Sequence, residues 1–262
     1  MSLENNQNPT QTEEKSKAKL EFKSLHFGWF AGHVWVVLNT TVFLLSSLFF
    51  HPLSLFYRSA YLGIVVSYGI VIYNSYKPLL TSEESNIKRV LLDENAQYLG
   101  IALYFLISSR VSISLLPFFI YSIFHVLTYV DSDLIPNLAP HQSNIQKSIQ
   151  KIITERFEQA MVLGAQLEVY GVMGRLVLGF FVFRSSILSI LLYGQFLRMR
   201  YHMSPRARQV LTELGTKVDS MLTPPTAHPK IPPAVLKHYA TFKEAMFAKP
   251  LPVEDVNDKK SL

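Results

Sequence analysis

Four ionisable side chains interrupt the apolar stretches of this chain: Arg110, Glu168, Arg175 and Arg184. An ionisable residue within a membrane segment marks an ion pathway or a proton relay, or it pairs inside the helix bundle. Glu168 and Arg175 are seven residues apart and share one helical face, where they pair with each other or with a neighbouring helix. Because Glu168 precedes the most apolar part of its run, a position near the membrane interface is the simpler interpretation. Transport chemistry therefore remains a minor hypothesis.

The sequence contains none of the common catalytic or metal-binding motifs. No pair of its eight histidines has metal-ligand spacing, and neither HExxH nor GxSxG occurs. Residues 171–174 (GVMG) are no phosphate loop, because they lie in an apolar helix without a following Lys-Ser or Lys-Thr. His33 and His125 stand within apolar runs, as packing residues do. We therefore predict no enzyme activity and no catalytic, cofactor-binding or metal-binding residues.

The apolar stretches themselves indicate the fold class. Of the 262 residues, 49% are hydrophobic and only 17% are charged, whereas soluble domains carry about 25% charged residues. Long uncharged runs alternate with charged tails, which is typical of a polytopic membrane protein. We predict an all-α protein of helical hairpins with about four membrane-crossing segments, at residues 27–50, 55–76, 96–130 and 160–197. The chain has no cysteine, which excludes disulfides and thiolate metal sites.

The third and fourth segments have lengths that suit neither one crossing nor two. Residues 96–130 would run roughly 50 Å as a straight helix, while the hydrocarbon core of a bilayer is about 30 Å thick. Each segment has a polar interruption, at 108–110 (SSR) and at 184–186 (RSS). Each segment either crosses as a steeply tilted, kinked helix or folds back as an unequal hairpin with its arginine at an interface. The sequence leaves both alternatives open.

Small residues on the second segment favour close helix packing. Ser59, Gly63 and Ser67 recur every fourth residue and share one face, and Gly28 and Gly32 form a GxxxG at the start of the first segment. Such stripes allow two helices to approach closely, although small residues are common in membrane helices anyway. We predict that the first two segments form a helical hairpin.

Basic residues indicate the orientation. The tail 1–26, the connection 77–95 and the tail 198–262 hold 4, 3 and 11 Lys and Arg residues, while the connection 131–159 holds 3. Because cytosolic segments carry the excess, both termini are predicted to be cytosolic, and the hydrophilic tail 1–26 to be disordered. This basic excess lies beside the membrane, so it does not indicate nucleic-acid binding.

The C-terminal tail begins with arginines that crowd the membrane exit, where we expect contacts with anionic head groups: Arg198, Arg200, Arg206 and Arg208. Two amphipathic helices follow, at about 205–222 and 234–248. In the second, Val235, Tyr239, Phe242 and Met246 form an aromatic-rich face, Lys237 lies opposite and Lys243 lies on the border. Such a helix suits the bilayer interface, and these six residues are predicted to bind membrane. Docking on the protein's own cytosolic face or on a partner is the alternative.

Four stretches of the chain are distinctive: FYRSAYL at 56–62, DENAQYL at 93–99, LLPFFIYSIFHVLTYV at 115–130 and YGQFLRMRYHMSPRARQVLTEL at 193–214. Their order and spacing resemble the transmembrane protein 33 family, especially its fungal branch of pore-membrane and tetra-spanning proteins. The resemblance implies a multi-pass protein of the endoplasmic reticulum and nuclear envelope with cytosolic ends. It implies association with reticulon-type membrane-shaping proteins and with nuclear-pore organisation. Some fungal members bind membrane and an import receptor through C-terminal amphipathic helices, and the family supplies no catalytic residues.

These observations lead to a membrane-organising function as the main hypothesis. In it, the long interrupted segments and the amphipathic tail place more volume in the cytosolic leaflet and favour curved membrane. A membrane-anchored adaptor, which displays its C-terminal tail to soluble partners, is the second hypothesis. A small transporter built around Glu168, Arg175 and Arg184 is the third. The lipid bilayer is the expected partner in all three, with no cofactor.

Overall fold

The computed structural model describes residues 24–77, 87–138, 143–222 and 232–248, and every regular element in these ranges is helical. Most of the predicted disordered tail 1–26 lies outside them. Two π-helical turns, Val130–Leu134 and Leu167–Met173, join α5 to α6 and α7 to α8. The α-helices are α1 (Leu25–Leu48), α2 (Ser54–Tyr76), α3 (Ile87–Leu91), α4 (Glu94–Ile107), α5 (Leu115–Tyr129), α6 (Ile135–Leu138), α7 (Ser143–Gln166), α8 (Gly174–Phe181), α9 (Ile187–Met203), α10 (Pro205–Leu222) and α11 (Pro233–Phe247).

Within these described ranges, four helical stretches have the length and composition to cross a membrane: Leu25–Leu48, Ser54–Tyr76, Ser112–Leu138 and Asn144–Phe181. The predicted all-α, polytopic membrane fold is confirmed. The last two stretches differ in their bounds from the predicted 96–130 and 160–197, because the helices break at the polar interruptions. What remains of those segments forms α4 and α9, which are roughly 21 and 26 Å long and so fall short of the ~30 Å core.

Local sequence explains where α4 and α9 begin. The Asp93 carboxylate caps α4 by accepting the backbone N–H groups of Asn95 and Ala96 at 2.8 and 3.1 Å. The Ser186 hydroxyl caps α9 by accepting a hydrogen bond from the backbone N–H of Leu188 at 3.1 Å. Phe183, in the break before α9, has φ of 56°, a left-handed conformation that bulky residues seldom adopt. The chain therefore reverses direction at this break.

Both long segments fold back as hairpins. In the first, the ring centroid of Tyr98 lies 5.7 Å from that of Phe118 and 5.8 Å from that of Tyr121. In the second, Glu168 forms an ion pair with Arg200. These two residues are equally far from Arg184 along the chain, as expected if the chain folds back there. Of the two alternatives that the sequence leaves open, the structure has the folded-back one. With α1 and α2, the bundle consists of three antiparallel hairpins.

The first hairpin packs through small residues. A Cβ atom on Gly63 would lie 3.0 Å from the carbonyl oxygen of Gly32, so the two backbones are almost in contact. Ser67 donates to a backbone carbonyl of α1 at 3.2 Å, and Ser59 accepts from the indole N–H of Trp35 at 2.9 Å. The stripe of Ser59, Gly63 and Ser67 therefore faces α1.

Aromatic side chains fill the space where the three hairpins meet. Because lipid tails are as apolar as the core, ring contacts and buried hydrogen bonds stabilise the bundle more than burial from water does. The Tyr61 hydroxyl, for example, lies 2.6 Å from Ser114 Oγ in the interior. The buried rings there include those of Tyr57, Tyr61, Tyr68, Tyr98, Phe105, Phe118, Tyr193 and Phe196.

The two ends of the bundle differ in character. Among the described residues, the turn face carries only the short breaks between paired helices, at 49–53, 108–111 and 182–186. There, Arg110 Nη1 donates to the Pro52 carbonyl oxygen at 3.1 Å. At the opposite end, the entry face, Gln146 of α7 donates to the Asp131 carbonyl oxygen at 3.1 Å. Because each hairpin returns the chain to the side it came from, the helix ends that adjoin the tails and the polar connections all lie on the entry face.

Candidate functional site

A buried cluster of charged and phenolic groups lies toward the entry face. Glu168, on the π-helical turn before α8, is 1% exposed and Arg200 of α9 is 4% exposed. Arg200 Nε donates to Glu168 Oε2 at 3.3 Å, and its Nη1 donates to Glu94 at the start of α4. Tyr98 and Tyr121 donate to Glu168 Oε1 at 2.7 and 2.9 Å. One carboxylate thus connects α4, α5 and α9.

The Glu168 carboxylate finds its partners within this cluster. A buried carboxylate is tolerated only when it is paired and hydrogen-bonded, and Glu168 has one guanidinium and two phenols as partners. The Arg200 guanidinium also lies over the Tyr98 ring, 5.0 Å from its centroid, in a cation–π contact. A paired and hydrogen-bonded cluster of this kind is suited to holding helices in one relative position.

The other intramembrane charges lie away from this cluster. Arg175 is seven residues beyond Glu168, about 10 Å along the helix, and its guanidinium lies beside Gly179. Arg184 is exposed in the break before α9, and Arg110 is exposed at the turn face. Glu168 therefore pairs with a neighbouring helix rather than with Arg175. The three charges of the transporter hypothesis do not come together.

A cavity of about 280 Å³ borders the cluster on its entry-face side. Its polar wall contains Glu94, Arg200 and Arg206, and its apolar wall includes Phe124 and Met161. Within the part of the chain that the structure describes, no three His, Asp or Glu side chains are grouped as a metal site.

The expectation that Arg200 is an exposed arginine at the membrane exit, balanced by anionic head groups, is wrong, because this side chain is buried and two glutamates balance its charge. Sequence reasoning also missed Glu94, Tyr98 and Tyr121 as its neighbours. A signal was present in the polar interruptions. If the chain folds back at Arg184, residue 168 lies opposite residue 200, and a fold at Ser109 brings Tyr98 near Tyr121.

The helix predicted to bind membrane, α11, is docked along one edge on α9 and α10. Lys243 Nζ lies 2.6 Å from Asp219 Oδ2, and the Tyr239 hydroxyl donates to Oδ1 of the same carboxylate at 2.7 Å. Met246 packs against the hydrophobic core. At the end of the helix, His202 Nε2 lies 3.0 Å from the Ala248 carbonyl oxygen. Half of the predicted membrane-binding residues therefore contact the protein itself.

The other three predicted residues of α11 point away from the bundle. Val235 is 44% exposed and Phe242 is 65% exposed, and Lys237 is exposed as well. Val235 and Phe242, seven residues apart, form an apolar outer edge, and Lys237 is exposed on the opposite side of the helix. Both remain available while the inner edge is docked.

Ionisable groups set the pH range over which α11 stays docked. The hydrogen bond from Lys243, followed by that from Tyr239, lowers the pKa of Asp219 below its ordinary value. Its stabilising contribution is therefore present above the ordinary pKa of about 4 and is lost as pH falls through the lowered value. Burial, with the bond to Asp219, raises the pKa of Tyr239 to about 12. The stabilising contribution of Tyr239 is therefore present below about pH 10 and is lost as pH rises through about 12.

Replacing Asp219 with asparagine is expected to release α11 at neutral pH, because the amide cannot pair with the Lys243 ammonium. Hydrogen exchange of the full-length protein should then show faster exchange across 233–247. Glu213→Gln, on the same helix α10 but bonded only to Gln209 among the described residues, is the matched control and should leave this exchange unchanged. Equal exchange in both variants would show that Asp219 does not hold the helix.

Comparisons with known proteins identify the family. Residues 8–247 match the family described as "Transmembrane protein 33/Nucleoporin POM33". The chain is 33% identical to "Tetra-spanning protein 1" of Schizosaccharomyces pombe, over 84% of this chain and 82% of that protein. It is 29% identical to "Pore membrane protein of 33 kDa" of Saccharomyces cerevisiae, over 92% and 91%, and 31% identical to "Nucleoporin POM33" of Chaetomium thermophilum, over 78% and 81%.

No solved structure matches the chain. The family match covers most of the sequence, including the four stretches that carried the resemblance, and the resemblance is thereby confirmed. The chain belongs to the Transmembrane protein 33/Nucleoporin POM33 family of multi-pass membrane proteins.

Proposed function

We propose that this protein is a non-enzymatic organiser of the endoplasmic reticulum and nuclear envelope, which shapes or stabilises curved membrane and supports nuclear-pore organisation. The observation that carries the proposal is the unequal distribution of protein between the two faces. In the part of the chain that the structure describes, the turn face has only breaks of four or five residues, whereas α6, the start of α7, α10 and α11 lie on the entry face. Protein volume inserted on one side of a bilayer favours curvature, and amphipathic helices are sensitive to it.

The distribution of charge supports a cytosolic entry face. All Lys and Arg residues except Arg58, Arg110, Arg175 and Arg184 belong to the tails or to the polar connections 77–95 and 131–159. If the two long segments crossed without folding back, 131–159 would lie on the side opposite the tails. The hairpins bring its described residues to the entry face, where they add to the positive charge expected on the cytosolic side. Both termini are then cytosolic.

The names of the relatives support the location. Two of them are named as a pore membrane protein and a nucleoporin, and another relative of Saccharomyces cerevisiae is named "Pore and endoplasmic reticulum protein of 33 kDa". We extend this location to the present chain, with reticulon-type membrane-shaping proteins as partners within the membrane.

Purified full-length protein, reconstituted into liposomes at rising protein-to-lipid ratio, is expected to shrink the vesicles or draw them into tubules. Electron microscopy measures the diameters. Deleting 234–248 should weaken the effect, because the outer edge of α11 is lost, whereas deleting 249–262 should not. Smooth spheres of unchanged diameter at every ratio would contradict the membrane-shaping function.

A second candidate function is that of an adaptor, and the exposure of Phe242 on the docked helix favours it. An outer edge that does not enter the bilayer is a surface for a soluble partner. Nuclear-pore components and an import receptor are the partners that we propose for this case. The depth of the outer edge of α11 in the membrane distinguishes the two functions, because membrane shaping requires this edge to enter the bilayer and the adaptor function does not.

A spin label attached at Phe242→Cys is expected to be accessible to oxygen and protected from a water-soluble nickel reagent. The chain has no cysteine, so a single introduced cysteine is labelled specifically. Glu244→Cys, exposed on the opposite side of α11, is the control and should show the reverse. If both labels are accessible only from water, α11 does not touch lipid and the adaptor function is favoured.

A further inference from the structure

The cavity beside Arg200 lies where the bundle leaves the membrane. Thr128 on its wall comes shortly before the acidic turn Val130–Leu134, and Phe157 comes shortly before the apolar part of α7. Phe157 is 39% exposed, so the wall of the cavity reaches the surface of the bundle near the membrane interface. A molecule in the cavity would have its polar part near the head groups and its apolar part near the lipid chains.

Two guanidinium groups on the wall have donors to spare. Arg200 uses Nε for Glu168 and Nη1 for Glu94, while Arg206 uses Nε and Nη2 for Glu158. Among the residues that the structure describes, no hydrogen-bond acceptor is assigned to Nη2 of Arg200 or to Nη1 of Arg206. Among the described residues, Nη2 of Arg200 is not one of the buried side-chain donors that lack a partner, so this atom is accessible from the cavity. Phosphate oxygens are acceptors that arginine binds particularly well.

The charges around the cavity disfavour a purely anionic ligand. Three carboxylates, those of Glu94, Glu158 and Glu168, surround the two guanidinium groups. A phosphate alone would add negative charge to a region that already has an excess of it. A ligand that carries an ammonium group beside its phosphate has no net charge and would not add to this excess. The Glu94 side chain is 45% exposed, and the aromatic walls of the cavity offer faces that attract ammonium groups.

We infer that this cavity binds the head group of a zwitterionic phospholipid. The phosphate accepts from Nη2 of Arg200 and Nη1 of Arg206, and the ammonium group lies toward Glu94 and the rings of Tyr68 and Phe124. The volume of about 280 Å³ is at the lower limit of sites that enclose a whole drug-sized ligand, about 300–1,000 Å³. It therefore suits a head group whose acyl chains remain in the bilayer. The site involves the membrane domain and α10 but not α11, so it does not depend on the function proposed above.

The test is native mass spectrometry of the full-length protein, exchanged against equimolar phosphatidylcholine, phosphatidylethanolamine and phosphatidylglycerol. The two zwitterionic lipids should be retained over the anionic one. Arg206→Gln should lower their retention about tenfold, the value of one charge-assisted hydrogen bond. Glu158→Gln breaks the same ion pair but keeps the guanidinium, so it should retain or strengthen binding. Equal loss in both variants, or preferred retention of phosphatidylglycerol, would overturn the assignment.

A second pair of variants guards against unfolding of the arginine variant. Thr128→Trp narrows the cavity and should reduce lipid retention, whereas Leu103→Trp, on the exposed side of α4, should not. If neither tryptophan changes retention, the lipid binds elsewhere. Soluble glycerophosphocholine should compete poorly, because it has no acyl chains; competition as strong as that of the lipid would identify a free phosphodiester as the ligand instead.

Discussion

Replacing Arg200 with methionine is expected to destabilise the protein by about 3–5 kcal/mol, the cost of removing one partner of a buried ion pair. The side chain is 4% exposed and bonds to two glutamates. Without it, Glu168 keeps its two phenols but loses its only guanidinium among the described residues, and a buried carboxylate becomes uncompensated. Thermal unfolding in detergent, followed by loss of the monodisperse chromatographic peak, measures the effect.

Two further variants test the origin of that loss. Arg156→Met removes an arginine that is exposed on α7, and it should change stability by no more than about 0.5 kcal/mol. Combining Arg200→Met with Glu168→Gln should recover a large part of the lost stability, because the amide still accepts from Tyr98 and Tyr121 without a buried charge. A double variant as unstable as Arg200→Met alone would show that the ion pair is not the cause.

Replacing Gly63 with leucine is expected to separate α1 from α2 at a cost of about 3 kcal/mol, the upper part of the usual range for overpacking. Even the Cβ atom alone, without the rest of the leucine side chain, would lie 3.0 Å from both the Gly32 carbonyl oxygen and Val36 Cγ2. The carbonyl is backbone within a helix, so it cannot move aside as a flexible side chain would. The same thermal unfolding measurement applies.

The matched control lies two turns further along the same helix. A Cβ atom on Gly69 would meet nothing within 4 Å, so Gly69→Leu should be neutral or stabilising by a few tenths to about 0.8 kcal/mol through its higher helix propensity. If Gly63→Leu and Gly69→Leu unfold at the same temperature, close backbone contact does not determine the pairing of α1 with α2.

Local features of this protein were largely predictable from its sequence. The uncharged runs indicated membrane helices, since a segment in lipid must satisfy its backbone hydrogen bonds internally. The stripe of Ser59, Gly63 and Ser67 was visible because helical neighbours recur every third or fourth residue. The polar interruption at 108–110 marked the place where a helix ends, although not the direction that the chain takes afterwards.

The partners of the functional side chains were not predictable in the same way. Glu168 and Arg200 are 32 residues apart, and they meet only because the chain folds back at Arg184. Arg200 was interpreted as a head-group contact because Arg198, Arg206 and Arg208 lie close to it in sequence, and nothing local distinguishes it from them. Likewise, Asp219 and Lys243 are 24 residues apart, and an amphipathic pattern does not specify whether α11 covers lipid or protein.

The sequence by itself determined that this chain is a bundle of membrane helices with polar tails, and it determined the family. Only the tertiary structure decided that the long segments are hairpins, that Glu168 is joined to Arg200, and that the inner edge of α11 is occupied. The physical reason is the range of the interactions concerned. Helix formation in lipid depends on hydrogen bonds between residues four apart, whereas the pairing of buried charges depends on which helices are brought together.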